Sequence, residues 1–259
     1  MGKLAADFYE RYGSEWSEPA RRTAERRVTE YKVDRLASLM AGVRPKSIID
    51  FGCGLGDALD LLAERFQPDS TIGIDLSTTM LAHARVAYPN REFIQGSVER
   101  LRDFQVDLIT FFDVLEHLED IPSALEAARG SASYVGIKIP LEKTWFVAML
   151  NKLGLKEPRS RLYETEGHLY EFNHREVEAL VRRCGLSIVN SRVDFTPKAV
   201  HFSDYMKARM RAKPGATGTI KSFLYEAMSL MPYAATRPVF ETVNGTDLFL
   251  LCRSTNPCG

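Results

Sequence analysis

One ten-residue stretch, Ile48-Ile49-Asp50-Phe51-Gly52-Cys53-Gly54-Leu55-Gly56-Asp57, constrains this chain more than any other. A short β-branched apolar run meets an acidic residue, and glycines follow at alternate positions. The run reads as a buried parallel strand, and the Leu59–Phe66 segment beyond it as the start of a helix. Glycine at 52, 54 and 56 lets the chain turn sharply and lets a ligand lie against bare backbone, because no Cβ intervenes. This is a nucleotide-binding turn. It departs from the dinucleotide fingerprint, whose third glycine stands three positions after the second, where this chain has Asp57. Carboxylates at 50 and 57 would repel a pyrophosphate; they suit a ligand with a positive amino group and no phosphate.

The segments downstream keep the spacing of repeated strand–helix units. Thr71-Ile72-Gly73-Ile74-Asp75-Leu76 is a second apolar strand ending in a carboxylate placed to accept two ribose hydroxyls. A third strand and turn run from Glu92 to Glu99, a fourth strand from Val106 leads into Asp113-Val114-Leu115-Glu116-His117, and Ser133–Pro140 forms a fifth. These motifs, in this order and with helix-length gaps, resemble those of class I S-adenosylmethionine (SAM)-dependent methyltransferases. The resemblance covers about residues 45–195 and lies within the small-molecule group that includes ubiquinone-type and sugar or natural-product enzymes. It implies SAM as cofactor, S-adenosylhomocysteine as product, and cofactor contacts from Asp50, Gly52, Cys53, Gly54, Gly56, Asp75, Leu76, Ser97, Val98 and Asp113. One position departs from the family pattern. Ser97 stands where an acidic residue near the adenine is usual, with Glu99 two residues later.

Alternation of strands near 47–51, 71–75, 91–95, 106–112 and 132–139 with helical patterns implies an α/β fold with a parallel sheet and right-handed crossovers. The expected architecture is Rossmann-like and doubly wound, a mostly parallel seven-stranded sheet with substrate-side insertions. Ser77 is a good N-cap for the helix that follows, and Asn173 with Glu176 forms a capping pair before a helix that stops at Gly185. Leu186–Val193 and Asp247–Cys252 supply the last strands, and the resemblance implies that the closing one is antiparallel. Residues 1–44, with Phe8, Tyr9, Tyr12, Trp16 and a helix bearing Tyr31, Leu36, Leu39 and Met40, are expected to cap the cofactor site; residues 45–259 are the methyltransferase core. Insertions 141–172 and 195–245 leave the carboxyl edge of the sheet and are expected to build the substrate pocket or lid. The second contains a break at Lys213–Thr219 and an apolar segment, 220–233, open to three uses: pocket lining, homodimer interface or core.

Charge restricts the partners. Lysine plus arginine equals aspartate plus glutamate at 34 each, so the chain has no general electrostatic attraction to nucleic acid or acidic membranes. The runs Arg21-Arg22…Arg26-Arg27 and Lys207…Lys213 read as solvated helix faces or contact patches. Four cysteines without paired or metal-type spacing, and no apolar run of about 18 residues, point to reduced thiols in a cytoplasmic protein.

Methyl transfer from a sulfonium is an in-line displacement that needs alignment above all. A base is needed only where an acceptor hydroxyl must lose its proton, and His117 is the candidate; the alternative is a structural histidine at a helix start. Ubiquinone-type catechol O-methyltransferases and small-RNA terminal 2′-O-methyltransferases hold a divalent metal with a similar Glu-x-x-Glu-His run and a later histidine. That resemblance implies Asp113, Glu116, His117 and His168 as possible ligands here, with a shorter carboxylate at the first position. The expected activity is methyl transfer to a hydroxyl or amine of a small molecule such as a sugar, quinone, lipid or secondary metabolite. The alternatives are a SAM-binding protein that does not methylate, a cyclase or regulatory subunit, and an RNA methyltransferase.

Overall fold

The computed structural model describes residues 19–141, 143, 167–194 and 246–255. The aromatic segment before Pro19, most of both insertions, the Lys213–Thr219 break, the 220–233 segment and Cys258 lie outside the described residues. The order of elements is α1 (Pro19–Leu39), β1 (Ser47–Phe51), α2 (Asp57–Phe66), β2 (Ser70–Asp75), α3 (Thr78–Ala87), β3 (Glu92–Gln95), β4 (Val106–Phe112), α4 (Ile121–Ser131), β5 (Ala132–Leu141), α5 (His174–Arg183), β6 (Leu186–Asp194) and β7 (Thr246–Ser254). Short 3₁₀ turns at Val98–Asp103 and Leu115–His117 follow β3 and β4.

The strands form one sheet in the order β3-β2-β1-β4-β5-β7-β6. Strands β1 to β5 pair in parallel, and β7 runs antiparallel to both β5 and β6. This is the Rossmann-like α/β fold expected, including the reversed closing strand. The central strands are apolar on both faces because helices cover both. On one face Ile49, Phe51, Ile109, Phe111, Leu248 and Leu250 pack under α4 and α5. On the other, Ile48, Leu108, Phe249 and Leu251 pack under α1 and α2. Alternate residues of β7 thus point to opposite layers, as the strand period requires.

Local chemistry fixes the helix ends. The Ser77 hydroxyl accepts from the Met80 amide at 3.1 Å, and Asp120 accepts from the Ser123 amide at 3.0 Å. Asn173 and Glu176 form a reciprocal capping box on α5. Helix α2 starts instead at Gly56 with no side-chain cap, and Asp57 and Asp60 in its first turn face the positive end of the helix dipole.

Asp57 has a different role from the ligand-facing one expected. Its carboxylate accepts from the Tyr88 hydroxyl and lies 3.7 Å from Arg26 of α1. Arg26 also pairs with Asp60 at 3.3 Å, and Arg22 lies 3.8 Å from Asp57. At these two positions the arginine run is thus more than a solvated face: it fastens α1 to α2.

The three glycines of the turn do different jobs. All have positive φ, which side-chain-bearing residues rarely adopt. A Cβ on Gly52 would stand 2.5 Å from Val114 Cγ2, and one on Gly56 would stand 2.7 Å from Phe93 Cζ. A Cβ on Gly54 would meet nothing within 4 Å. Packing therefore demands glycine at 52 and 56, whereas 54 opens onto empty space. Gly52→Ala and Gly56→Ala should each lose about 1–3 kcal/mol more stability than Gly54→Ala, since only they add overpacking to the shared backbone strain. Urea unfolding of the three variants tests this; equal losses would refute the packing assignment.

Candidate active site

The glycine turn is braced by β2. The Gly52 and Cys53 amides both donate to the Ile74 carbonyl, at 2.7 and 3.2 Å. The Gly54 amide donates to Asp75 Oδ2 at 2.8 Å, and the Ser77 amide donates to Asp75 Oδ1 at 2.9 Å. Asp75 thus sits over the turn with its charge held by backbone.

The other expected cofactor residues surround this point unevenly. The Leu76 carbonyl accepts from the Gln95 side-chain amide at 3.1 Å, which ties the ends of β2 and β3 together. Ser97 donates its hydroxyl to Glu99, so the two polar residues at the third turn act as a pair. Val98 is buried in the core. Cys53 packs its thiol inward among Leu59, Leu81 and Phe93, and burial raises the thiol pKa; only its backbone belongs to the turn. Cys184 and Cys252 are likewise buried free thiols.

Asp50 is 2% exposed, and its Oδ1 accepts from the Thr110 hydroxyl at 2.7 Å. Burial raises its pKa to about 7; Thr110 works against the shift and Asp75 adds to it. Its carboxyl is poised to ionise when a cation comes near.

Asp113 follows β4 with φ +55°, a left-handed conformation that aspartate tolerates better than most residues. Its carboxylate is clamped between Lys138 of β5 and Lys32 of α1, the latter at 2.5 Å. Burial alone would raise its pKa, but the two ammonium groups overcome that and hold it well below the usual range. Lys138, 6% exposed, also pairs with Asp247 at 2.8 Å. Neither lysine figured in the sequence reading. A lysine inside the apolar run Tyr134–Pro140 is a visible signal, because a buried ammonium needs a counter-charge. Lys32 carries no such signal on a charged helix.

Beyond Asp113, the 3₁₀ turn presents Glu116 and His117, so His117 is not at a helix start. The segment 167–170 docks onto this turn: the Leu169 amide donates to the Glu116 carbonyl at 2.8 Å, and the Tyr170 hydroxyl donates to the Glu119 carbonyl at 3.1 Å. His117 Nδ1 lies 3.0 Å from the Gly167 carbonyl. A carbonyl only accepts, so Nδ1 carries the proton and Nε2 is the basic nitrogen of the neutral ring. The His117 and His168 rings meet edge-to-face at 4.8 Å.

Glu116 is fully buried, and neither carboxylate oxygen has a hydrogen-bond partner among the described residues. Burial, with Asp113 nearby, raises its pKa to about 8. Ligand atoms of Glu116, His117 and His168 lie within 4.8 Å of one another. A buried carboxylate without a hydrogen-bond partner among the described residues, grouped with two imidazoles, fits a divalent cation. Asp113 does not join this group, because the lysines hold it.

A glycine turn with an open face, an acidic strand tip beside it and a seven-stranded sheet with one reversed strand define a class I SAM-dependent methyltransferase. The chain belongs to the methyltransferase-domain family, whose model matches residues 21–191. It is 27% identical over 166 residues to a trans-aconitate 2-methyltransferase of Rhodopseudomonas palustris, covering 61% of this chain and 59% of that protein. The fold is similar to that of phosphoethanolamine N-methyltransferase 2 of Haemonchus contortus, solved with SAM (TM-score 0.60, 15% identity, 97% of this chain and 60% of that one). It is also similar to that of a cyclopropane synthase of Mycobacterium tuberculosis (TM-score 0.56, 14% identity, 85% and 84%). No helix among the described residues is long and apolar enough to cross a membrane.

The Asp50 shift has a stability consequence. Its folded pKa, about 7, exceeds the unfolded value. The contribution of the neutral carboxyl is therefore complete below about pH 4 and is lost as pH rises through about 7. Asp50→Asn should stabilise the ligand-free protein at pH 8 by about 2–4 kcal/mol relative to its effect at pH 4, at 1.4 kcal/mol per pKa unit. Denaturant unfolding at both pH values checks it; a pH-independent difference would show that Asp50 ionises normally.

Proposed function

We propose that the chain transfers the methyl group of SAM to an oxygen of a small-molecule acceptor. The observation that carries this reading is His117, whose Nδ1 is committed to the Gly167 carbonyl, so that Nε2 is basic, beside the glycine–Asp75 site at the same sheet edge. Bound against Gly54, SAM supplies an electrophilic sulfonium methyl. Asp75 accepts the ribose hydroxyls, Asp50 faces the amino group, and Leu76, Ser97 and Val98 border the adenine. Residues 1–44 cap the cofactor, and insertions 141–172 and 195–245 shape the acceptor pocket. His117 Nε2 takes the proton of an acceptor hydroxyl as the new bond forms. A relative named for trans-aconitate supports a small acid as acceptor; if its carboxylate is the acceptor, it would arrive already ionised and need no base.

A second reading rests on the orphaned Glu116 carboxylate. Glu116, His117 and His168 would hold a divalent cation, whose contribution is to lower the pKa of an acceptor hydroxyl. The two readings compete, because a nitrogen that ligates a metal cannot also take a proton.

Asp75→Ala should weaken SAM binding about 10- to 150-fold, from lost charge-assisted hydrogen bonds of about 1.5–3 kcal/mol. Gly54→Val should weaken it further. Unchanged calorimetric affinity in folded Asp75→Ala protein would remove the cofactor assignment. His117→Gln should cost about 10²–10⁴ in rate on a hydroxyl acceptor while leaving SAM affinity intact. Chelation separates the readings: loss of turnover mimicked by Glu116→Gln and His168→Gln supports the metal, whereas chelator-resistant turnover supports the base. Full activity of His117→Gln would leave alignment alone, as a carboxylate acceptor requires.

A further inference from the structure

Behind the Glu116–His117 turn, four charged side chains form a linked chain of ion pairs. Lys32 and Lys138 supply two positive charges, Asp113 and Asp247 two negative ones, and the four come from α1, β5, the end of β4 and the start of β7. At its centre Asp113 holds a left-handed backbone conformation. Its amide donates to the Lys138 carbonyl at 3.1 Å, so β5 grips both its backbone and its side chain. Glu116 and His117 follow within one turn of chain. Only one of the two clamps on Asp113 is intrinsic to the sheet. The other, Lys32, is there because α1 lies on the sheet with Leu36 over Gly136, where a Cβ would meet Leu36 Cδ2 at 2.7 Å.

We propose that Lys32 and Lys138 are positioning residues for methyl transfer: they pin Asp113, thereby aim Glu116 and His117, and make that aim depend on docking of α1. The inference rests on the reading of His117 as a reacting group. Arg26 and Arg35 fasten α1 at two other places, to α2 and to Asp194 at 2.7 Å, so the helix remains seated when Lys32 is changed. What changes is the constraint on Asp113. Without Lys32 the Asp113 carboxylate keeps one ammonium, shared with Asp247, and the turn beyond it gains freedom. Displacements of about 1 Å in a positioned group cost on the order of 10²-fold in rate, so the effect belongs in kcat and not in cofactor affinity.

The test is Lys32→Met and Lys32→Arg in the full chain. It is read by SAM calorimetry, by turnover, and by histidine-side-chain NMR with signals assigned through His117→Gln and His168→Gln. Lys32→Met should leave SAM affinity within about 3-fold, lower kcat about 10- to 100-fold, and shift or broaden the His117 Nδ1–H signal. Lys32→Arg should restore both. If Lys32→Met fails to fold, the charge-balanced Lys32→Met/Asp113→Asn protein should show the same His117 displacement. An unmoved His117 signal with unchanged kcat overturns the proposal, as does a loss confined to SAM affinity. A displaced His117 signal in a protein whose His117→Gln variant is fully active keeps the clamp and discards His117 as the base. The two failures are thus distinguishable.

Discussion

Three carboxylates, Asp50, Asp75 and Asp113, cluster at the carboxyl edge of three neighbouring strands, and the rest of the site depends on how each is accommodated. Parallel strands buried on both faces leave little water there, so an ionised group needs a partner and an unpartnered one loses its charge. The fold uses a different solution at each position. Backbone amides of Gly54 and Ser77 hold Asp75, two lysines hold Asp113, and Asp50, with the Thr110 hydroxyl bonded to it and only a weaker influence from Lys32, has its pKa raised by burial to about 7. Of the three, Asp50 is the one whose pKa burial raises most clearly. A cationic group brought near would favour its ionised form, whereas a phosphate would add to the negative charge there.

Much of this was legible in the sequence because it is local. The glycine turn, the Ser77 cap and the Asn173–Glu176 box each concern residues within a few positions of one another, and each forms as expected. The strands were placed within a residue or two, and β7 extends further at both ends because β5 and β6 flank it on either side. The reversal of β7 was available only through family resemblance, since strand direction leaves no trace in side-chain pattern.

What was not legible is pairing across the chain. Asp57 looked like a ligand group because nothing nearby neutralises it, yet Tyr88 and Arg26, each about 31 residues away, do so. The Arg22 and Arg26 side chains looked solvent-directed for the same reason. Asp113 looked like a member of the metal-ligand group, and the two lysines that pair with it come from 25 residues later and from the helix that precedes β1. Each time, a charged residue was read by its own neighbourhood, while its partner was set by the topology.

The Glu116–His117 turn sharpens the same point. A protonated Glu116 and a basic His117 Nε2 serve the general-base chemistry, and an ionised Glu116 serves a cation; one buried carboxyl cannot do both at a given pH. The Lys138 ammonium tilts this choice. It lies near enough to favour the ionised form of Glu116, but Asp113 and Asp247 already engage it, and Asp113 itself disfavours a second nearby negative charge. With the clamp intact the neutral carboxyl is favoured, and a cation would have to offset that bias before the turn could hold it. The docking of α1 completes the clamp on Asp113 through Lys32, and the Asp113 charge so held is one of the two influences that keep the Glu116 carboxyl neutral, burial being the other.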